Sequence, residues 1–465
     1  MASSFGSINT ALTSLYAQRR ALDVTGQNIA NANTEGYTRQ RVDMQSQVGS
    51  ISAAMYAKTD GLGSGVGITD VTRMRDDYQE NRGRTEHGNS AYLATQSASY
   101  ASIEDAFGEP NDTALQAQLG QMWDAWSDVA NNPKDTAARS ALIESSSTVA
   151  DKLNDLHGAL AGQWGNKRSE MDAYANEVNT TASTVAQLND SIVKAKATGL
   201  TVNELEDRRD LAVMHLSELT GATASARKSG AVDVFVGNST LVSEFTTSTL
   251  QVTGAKRLEE QSTDPLTLRW AGTQQPVTAG GTMGSTFDTM TTIIPGISGK
   301  LDAVAKQLGD SVNLLHAAGF SADGTTGLDF FAGDSTGTIS AGTIKVAVTD
   351  PAKVAYASTT ATLDHSVADA MSDLGGSAAG ADAGYQAMIG ELGVAANAST
   401  RRNDIQTNVT EQADADREST SGVNLDEEMT NLLTYQRGYE AASRVLTTVD
   451  SMLDQLINRT GLVGR

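Results

Sequence analysis

The sequence predicts a mainly α-helical protein with a β-rich segment inserted between helical flanks. Apolar residues recur every seven positions at both ends, and they step by three and four through much of the first half. Near Ala222 the texture changes to short β-branched runs bounded by glycine. The chain has 465 residues, and a prior of roughly 150 residues per domain suggests about three domains.

The N-terminal helix is read from the row Ile8, Leu15, Leu22 and Ile29, with Phe5 and Leu12 three residues before its first two members. This is the seam of a helix that seeks a partner helix. The row fades at Arg19 and Gly26, and Asn31-Ala32-Asn33-Thr34-Glu35-Gly36 stops the helix, since Asn and Gly accept the left-handed conformation. The other end mirrors it. Leu425, Leu432, Tyr439, Leu446 and Leu453 form one row, and Tyr435, Ala442, Val449 and Leu456 form a second, which Glu428 interrupts at its start. At about 1.5 Å per residue, Asp426 to Ile457 makes a rod of roughly 45–50 Å. Each end thus carries one narrow apolar stripe. Pairing the two as an antiparallel coiled coil brings the termini together and projects the middle away. Ile8, Leu15, Leu22 and Ile29 are then expected near Leu425, Leu432, Leu446 and Leu453. Such a seam can close within the subunit or face neighbouring copies.

Between the ends, Leu115, Leu119, Met122, Trp126 and Val129 mark a helix ended by Asn131-Asn132-Pro133. Leu142 to Leu160 reads as a second helix and Met171 to Ile192 as a third. Thr201-Val202-Asn203-Glu204 is a candidate capping box opening a fourth, with Gly221 past its end. Ala231 to Val236 reads as a strand between turns at Lys228-Ser229-Gly230 and Gly237-Asn238, and further strands continue past Trp270. Pro295-Gly296 starts another helix through Leu315. A strand is expected over Thr343 to Val348, and helix returns from about Ala381 to the end. No tandem repeat is visible.

A net charge of -22 opposes nucleic-acid binding and docking on an anionic membrane. Residues 1–60 hold five Lys/Arg and four Asp/Glu, so the acidity lies further in, and the nearly neutral end can be crowded against copies of itself. Cysteine is absent, which excludes disulfides and thiolate metal sites. No signal-peptide pattern is seen over residues 1–24, nor an 18-residue apolar run.

No catalytic, cofactor or metal site is expected. His87, His157, His215, His316 and His365 lack ligand spacing. Gly61, Gly63, Gly65 and Gly67 precede a strand rather than follow one, so they read as a turn and not a phosphate loop. Gly309-Asp310-Ser311 and Gly333-Asp334-Ser335 have no identifiable partners for a nucleophile. Asp323, Asp329 and Asp334 lack EF-hand spacing.

The run from Ala21 to Gln40, with its core Asn28-Ile29-Ala30-Asn31-Ala32-Asn33-Thr34-Glu35-Gly36-Tyr37, resembles the N-terminal motif of flagellar rod, hook and hook-associated proteins. Gly422-Val423-Asn424-Leu425-Asp426-Glu427-Glu428-Met429, continued through Tyr435-Gln436-Arg437, resembles their C-terminal motif. Inside, Phe107-Gly108-Glu109-Pro110, Trp126 to Pro133, Ala137-Ala138-Arg139, Arg208-Arg209-Asp210-Leu211, Val234 to Gly237 and Asp329-Phe330-Phe331 resemble the hook-associated protein 1 family. The segments 254–292 and 338–380 resemble nothing in particular.

The resemblance implies a non-enzymatic structural subunit of the hook–filament junction. Such a subunit is exported unfolded, without a cleaved signal, through the flagellar type III pathway to the cell exterior, with a dedicated chaperone at the C-terminal helix. It assembles as a ring, with hook protein below and a second junction protein and the filament above, and no membrane insertion. The implied layout has a terminal D0-like coiled coil (1–70 and 418–465), a helical D1-like domain (71–222, 293–320 and 379–417) and a β-rich, outward D2-like domain (223–292 and 321–378). Assembly contacts are expected at Ile8, Leu15, Leu22, Asn28, Ile29, Asn31, Asn33, Gly36, Tyr37, Arg39, Leu425, Leu432, Tyr439, Leu446 and Leu453, and the Asn28 to Arg39 segment should set the subunit angle. A hook or distal-rod protein, an enzyme carried on an axial scaffold and a surface adhesin stay open as alternatives.

Overall fold

A computed structural model describes residues 2–47, 63–360 and 364–459. Gly61 lies outside the described residues. The fold is mainly α with a β-rich insertion, as the sequence predicts. The first and last helices, α1 (Ala2–Ala30) and α10 (Leu425–Arg459), pack along each other. They run antiparallel: Asn28 near the end of α1 meets Glu428 at the start of α10, and Gln18 lies against Gly438. A hairpin of β1 (Gln40–Gln47) and β2 (Gly65–Arg73) lies on α1, where the Val66 N–H donates to Thr13 Oγ1 at 3.4 Å.

The body begins with α2 (Asp77–Phe107), which the sequence pattern does not show. Its buried positions include Glu80, Gly83, Arg84, Gly88 and Ser99, so no apolar row betrays it. Asp76 caps it, accepting from Tyr78 N and Gln79 N, and Gly108 closes it at φ 63°. Next come α3 (Leu115–Asn131), α4 (Thr136–Ala197) and α5 (Asn203–Thr220). The two helices expected over 142–192 are one 62-residue helix, α4, because neither proline nor a cap interrupts them. The expected capping box before α5 is not made. Val202 is the N-cap without a side-chain bond, and the Asn203 amide instead donates to Val71 O at 2.7 Å.

The strands β3 (Thr223–Ala226), β4 (Val232–Val236), β5 (Ser239–Ser243) and β6 (Thr246–Thr247) form one antiparallel sheet, and β7 (Leu250–Thr253) pairs with β8 (Thr267–Trp270). Two side-chain amides on α4, Asn189 buried and Asn179 partly buried, hold them. Asn189 donates to Val232 O at 2.8 Å and accepts from Val232 N, while Asn179 does the same at Leu250. Each amide replaces a missing strand neighbour, which keeps buried backbone groups satisfied.

Helix returns at Gly281, well before Pro295. The helix α6 (Gly281–Asp288) runs through a π-turn at Thr289–Ile293 into α7 (Ile294–Ala318). In that turn Met290 O accepts from the buried Trp164 indole at 2.9 Å. Four two- or three-residue strands follow: β9 (Phe320–Ser321), β10 (Phe331–Ala332), β11 (Lys345–Val346) and β12 (Ala355–Ala357). The strand expected over 343–348 is thus only two residues long. These strands share no sheet with β3 to β8. Helix α7 holds this stretch in place. Asn313 bonds the backbone of Phe330 and Phe331, and His316 donates from Nδ1 to Leu328 O while its Nε2 accepts from Ala355 N. A short α8 (Ser366–Ser372) leads to α9 (Ala381–Ser421), which lies along α2. The core is continuous through α3, α4, α7 and the strands, and Trp126, Trp164, Phe330 and Phe331 are fully buried in it. The Trp126 and Phe330 rings sit 5.3 Å apart, so the Asp329-Phe330-Phe331 run is a packing motif.

Candidate assembly site

The buried line of α1 is made of small residues: Ala11, Ala17, Ala21 and Val24, with Thr25 and Asn28 below them. Small side chains let helix backbones approach, and a Cβ on Gly438 of α10 would lie 2.9 Å from the Gln18 side chain. Ile8, Leu15, Leu22 and Ile29 flank this line and are only half-buried, as are Leu432, Leu446 and Leu453. Leu425 and Tyr439 are 49% and 41% exposed, so neither is enclosed within the chain. Leu12, Tyr16, Met429, Leu433, Val445 and Met452 are exposed as well. The row of large apolar residues therefore lies beside the most buried line of α1 rather than on it. The pair buries a narrow stripe and leaves apolar flanks unfinished.

Below the seam lies a polar joint. The Asn28 amide donates to Gln40 O at 2.9 Å and to Glu428 Oε2 at 3.1 Å, and its oxygen accepts from Tyr37 Oη and Gln40 N. Arg39 Nε donates to Glu428 Oε1 at 2.8 Å, and its Nη1 donates to Glu427. The backbone N–H of Arg39 reaches Ser421 O at 2.9 Å, in the last turn of α9. Glu428, which interrupts the apolar row, is thus a buried anchor at 2% exposure and satisfied by both Asn28 and Arg39. Burial and the nearby carboxylates of Asp207, Glu428 and Glu204 push the Tyr37 hydroxyl up to about 12, so it stays a donor.

Asn31 ends α1 by donating from its amide to Gln27 O and accepting from Thr34 Oγ1. Asn33 is exposed, and Gly36 takes φ +76° against Leu211. These positions shape the turn without joining the network.

A second cluster ties the joint to the body, and the sequence reading missed it. Arg73 contacts Glu206, Asp207 and Asp210 of α5 at 3.0, 2.8 and 2.9 Å, Arg75 pairs with Asp210, and Asp207 accepts from Thr38 N. Burial pulls the Asp210 carboxyl up, but Arg75, Arg209, Arg73 and Arg84 outweigh it and hold the carboxyl below the usual range. The Arg208-Arg209-Asp210 run was the available signal.

Among the described residues no group of three or more His, Asp or Glu is arranged to hold a metal ion, and no helix is long and apolar enough to cross a membrane. Asp323 and Asp334 fold their own turns. Asp323 accepts from Ser321 and Thr325, which holds its carboxyl down at about 2, and Asp334 accepts from Thr336 and Thr338. Ser311 lies inside α7.

Family models match three stretches. The flagella basal body rod protein model covers residues 8–38, the flagellar basal body rod FlgEFG protein C-terminal model covers 417–459, and the flagellar hook-associated protein FlgK helical domain covers 100–331. The two ends that make the pair are thus the stretches matched by the basal body rod models. The flagellar hook-associated protein 1 of Bacillus subtilis (strain 168) is 30% identical over 516 residues, spanning 100% of both chains. Its counterpart in Escherichia coli (strain K12) is 24% identical over 97% of this chain and 99% of its own. The solved flagellar hook junction protein FlgK from Burkholderia pseudomallei has the same fold, with a TM-score of 0.64 at 15% identity over 73% of this chain and 100% of that one. The chain belongs to the flagellar hook-associated protein 1 (FlgK) family and is a component of the flagellum.

Proposed function

We propose that this chain is a non-enzymatic structural subunit that joins hook to filament. Copies form a ring through the terminal helix pair, with hook protein on one side and a second junction protein and the filament on the other. The supporting observation is the unfinished seam. Large apolar side chains flank the α1–α10 contact half-exposed, and a polar joint at Asn28, Tyr37, Arg39 and Glu428 fixes how the pair leaves the body. Contiguous apolar surface of this kind marks an interaction face. In this reading Ile8, Leu15, Leu22, Ile29, Leu425, Leu432, Tyr439, Leu446 and Leu453 contact neighbouring copies, while Asn31, Asn33 and Gly36 shape the bend. The helical body forms a second layer and the strand groups face outward. The chain travels unfolded through the flagellar export channel, with a chaperone on the C-terminal helix, and ends outside the cell.

Electron microscopy of flagella from a strain deleted for this gene tests the reading. The expected result is hooks of normal length without filaments, with filament protein lost to the medium. Missing hooks would assign the chain to rod or hook, and normal flagella would overturn the proposal. A strain producing a chain without residues 1–40 should show the same bare hooks.

A further inference from the structure

A histidine bridge lies outside the joint just described. His87 on α2 has both ring nitrogens against carboxylates of other helices: Nδ1 is 3.1 Å from Glu218 Oε1 of α5, and Nε2 is 3.0 Å from Asp414 Oδ2 of α9. A neutral imidazole carries one N–H, so one carboxylate would face a lone pair. Only the imidazolium donates to both. Gly88 makes the approach possible, since a Cβ there would lie 2.9 Å from Ser217 O of α5. The bridge extends further: His215 of α5 is 3.8 Å from Glu218 and 2.8 Å from Glu177 of α4.

His87 lines a cleft of about 500 Å³ whose walls include residues 34–38 of the α1 turn and Ser421-Gly422-Val423, where α9 gives way to α10. Its other charged groups are Glu35, Arg75, Glu80, Asp210, His215, Arg417 and Glu418. Arg417 lies 3.6 Å from Asp414 and shares that carboxylate with His87. One turn away, Arg82 of α2 pairs with Asp416 at 3.0 Å. The last turns of α9 therefore rest on α2 largely through polar contacts, and buried residues thin out there to Thr410 and Ala413.

We propose that His87 is a proton-operated latch that fastens the end of α9 to α2 and α5, and that losing its proton loosens the root of the terminal helix pair. The latch belongs to the single chain and stands or falls independently of the junction reading. Hydrogen bonds to Glu218 and Asp414 raise the His87 pKa above 6.5 against the opposing effect of burial. A raised folded-state pKa contributes stability that is complete below the unfolded value and is lost as pH rises through the folded value. The latch is thus closed in mild acid and opens toward alkaline pH.

Hydrogen–deuterium exchange of the full chain over residues 403–423, at about pH 6 and about pH 8.5 and corrected for intrinsic exchange, tests this. Exchange there should be several-fold faster at the higher pH in the natural chain, and fast at both in His87→Gln. NMR of the histidine rings supplies the second readout and needs no variant. His87 should titrate above the ordinary histidine midpoint, and Glu218→Gln should bring it down. A His87 that titrates at or below the ordinary value, or a His87→Gln chain that keeps the natural pH response, would overturn the latch.

Discussion

The helical body and the terminal pair are both built of long helices, yet they solve burial in opposite ways. In the body, Trp126, Trp164, Leu115, Leu153 and Phe330 are completely buried, and Asn179, Asn189 and Asn313 satisfy the backbone of the strands laid on the helices. In the pair, alanines fill the most buried line of α1 while leucines, methionines and tyrosines stay half in water. Completing the burial of one half-exposed Leu or Met is worth about 1 kcal/mol, so several of them supply a real drive to associate. The body buries its large apolar side chains within the chain, whereas the pair leaves much of its apolar surface exposed. The two are coupled through polar contacts, at Arg73–Asp207 and Arg39 N–H to Ser421 O, rather than through a shared apolar core.

The largest loss is expected in the body. Trp126→Ala should cost about 3–5 kcal/mol, read by denaturant unfolding of the monomer, because the ring is fully buried against Phe330. Arg39→Ala should cost less, about 1–3 kcal/mol, because Glu428 is left buried with one donor fewer while Arg39 itself is partly in water. Its signature is faster proteolysis between α9 and α10 with the body intact.

His316 gives a pH effect of smaller size. Burial lowers its pKa below 6.5, and the neutral ring accepts from Ala355 N. Its contribution is therefore complete above the unfolded value and is lost as pH falls toward the folded one, with a slope of at most about 1.4 kcal/mol per pH unit. The difference between the natural chain and His316→Gln in thermal scans from neutral to mildly acidic pH isolates that slope. The smallest effect sharpens the contrast. Leu22→Ala should change monomer stability by less than about 1 kcal/mol, since the side chain is only half-buried, yet abolish assembly. A monomer loss as large as that of Trp126→Ala would mean that the seam closes within the chain.

The sequence exposed some elements and hid others for identifiable reasons. Apolar periodicity locates α3, α7 and α10, and the Asn28 to Arg39 motif marks the joint. The helix α2 is hidden because glycine, serine and charged residues occupy its buried face, which periodicity counts as exposed. The helix α4 reads as two because its apolar steps thin out between Leu160 and Met171, although the helix runs through. At the pair, two rows on α1 repeat with heptad spacing. The large one, Ile8 to Ile29, is the more conspicuous, but the smaller residues beside it, Ala11, Ala17, Ala21 and Val24, are the buried ones. Glu428 reads as a flaw in a seam until Asn28 and Arg39 are seen around it.

The helical class, the inserted strands, the two matched ends and the lack of cysteine are legible along the chain, because periodicity, composition and motif are local properties. Which line of α1 is most buried, which charges meet across α2, α5, α9 and α10, and where the histidines stand emerge only in the folded chain. Those outcomes depend on how closely two backbones can approach, and that distance is set by small side chains on both partners at once.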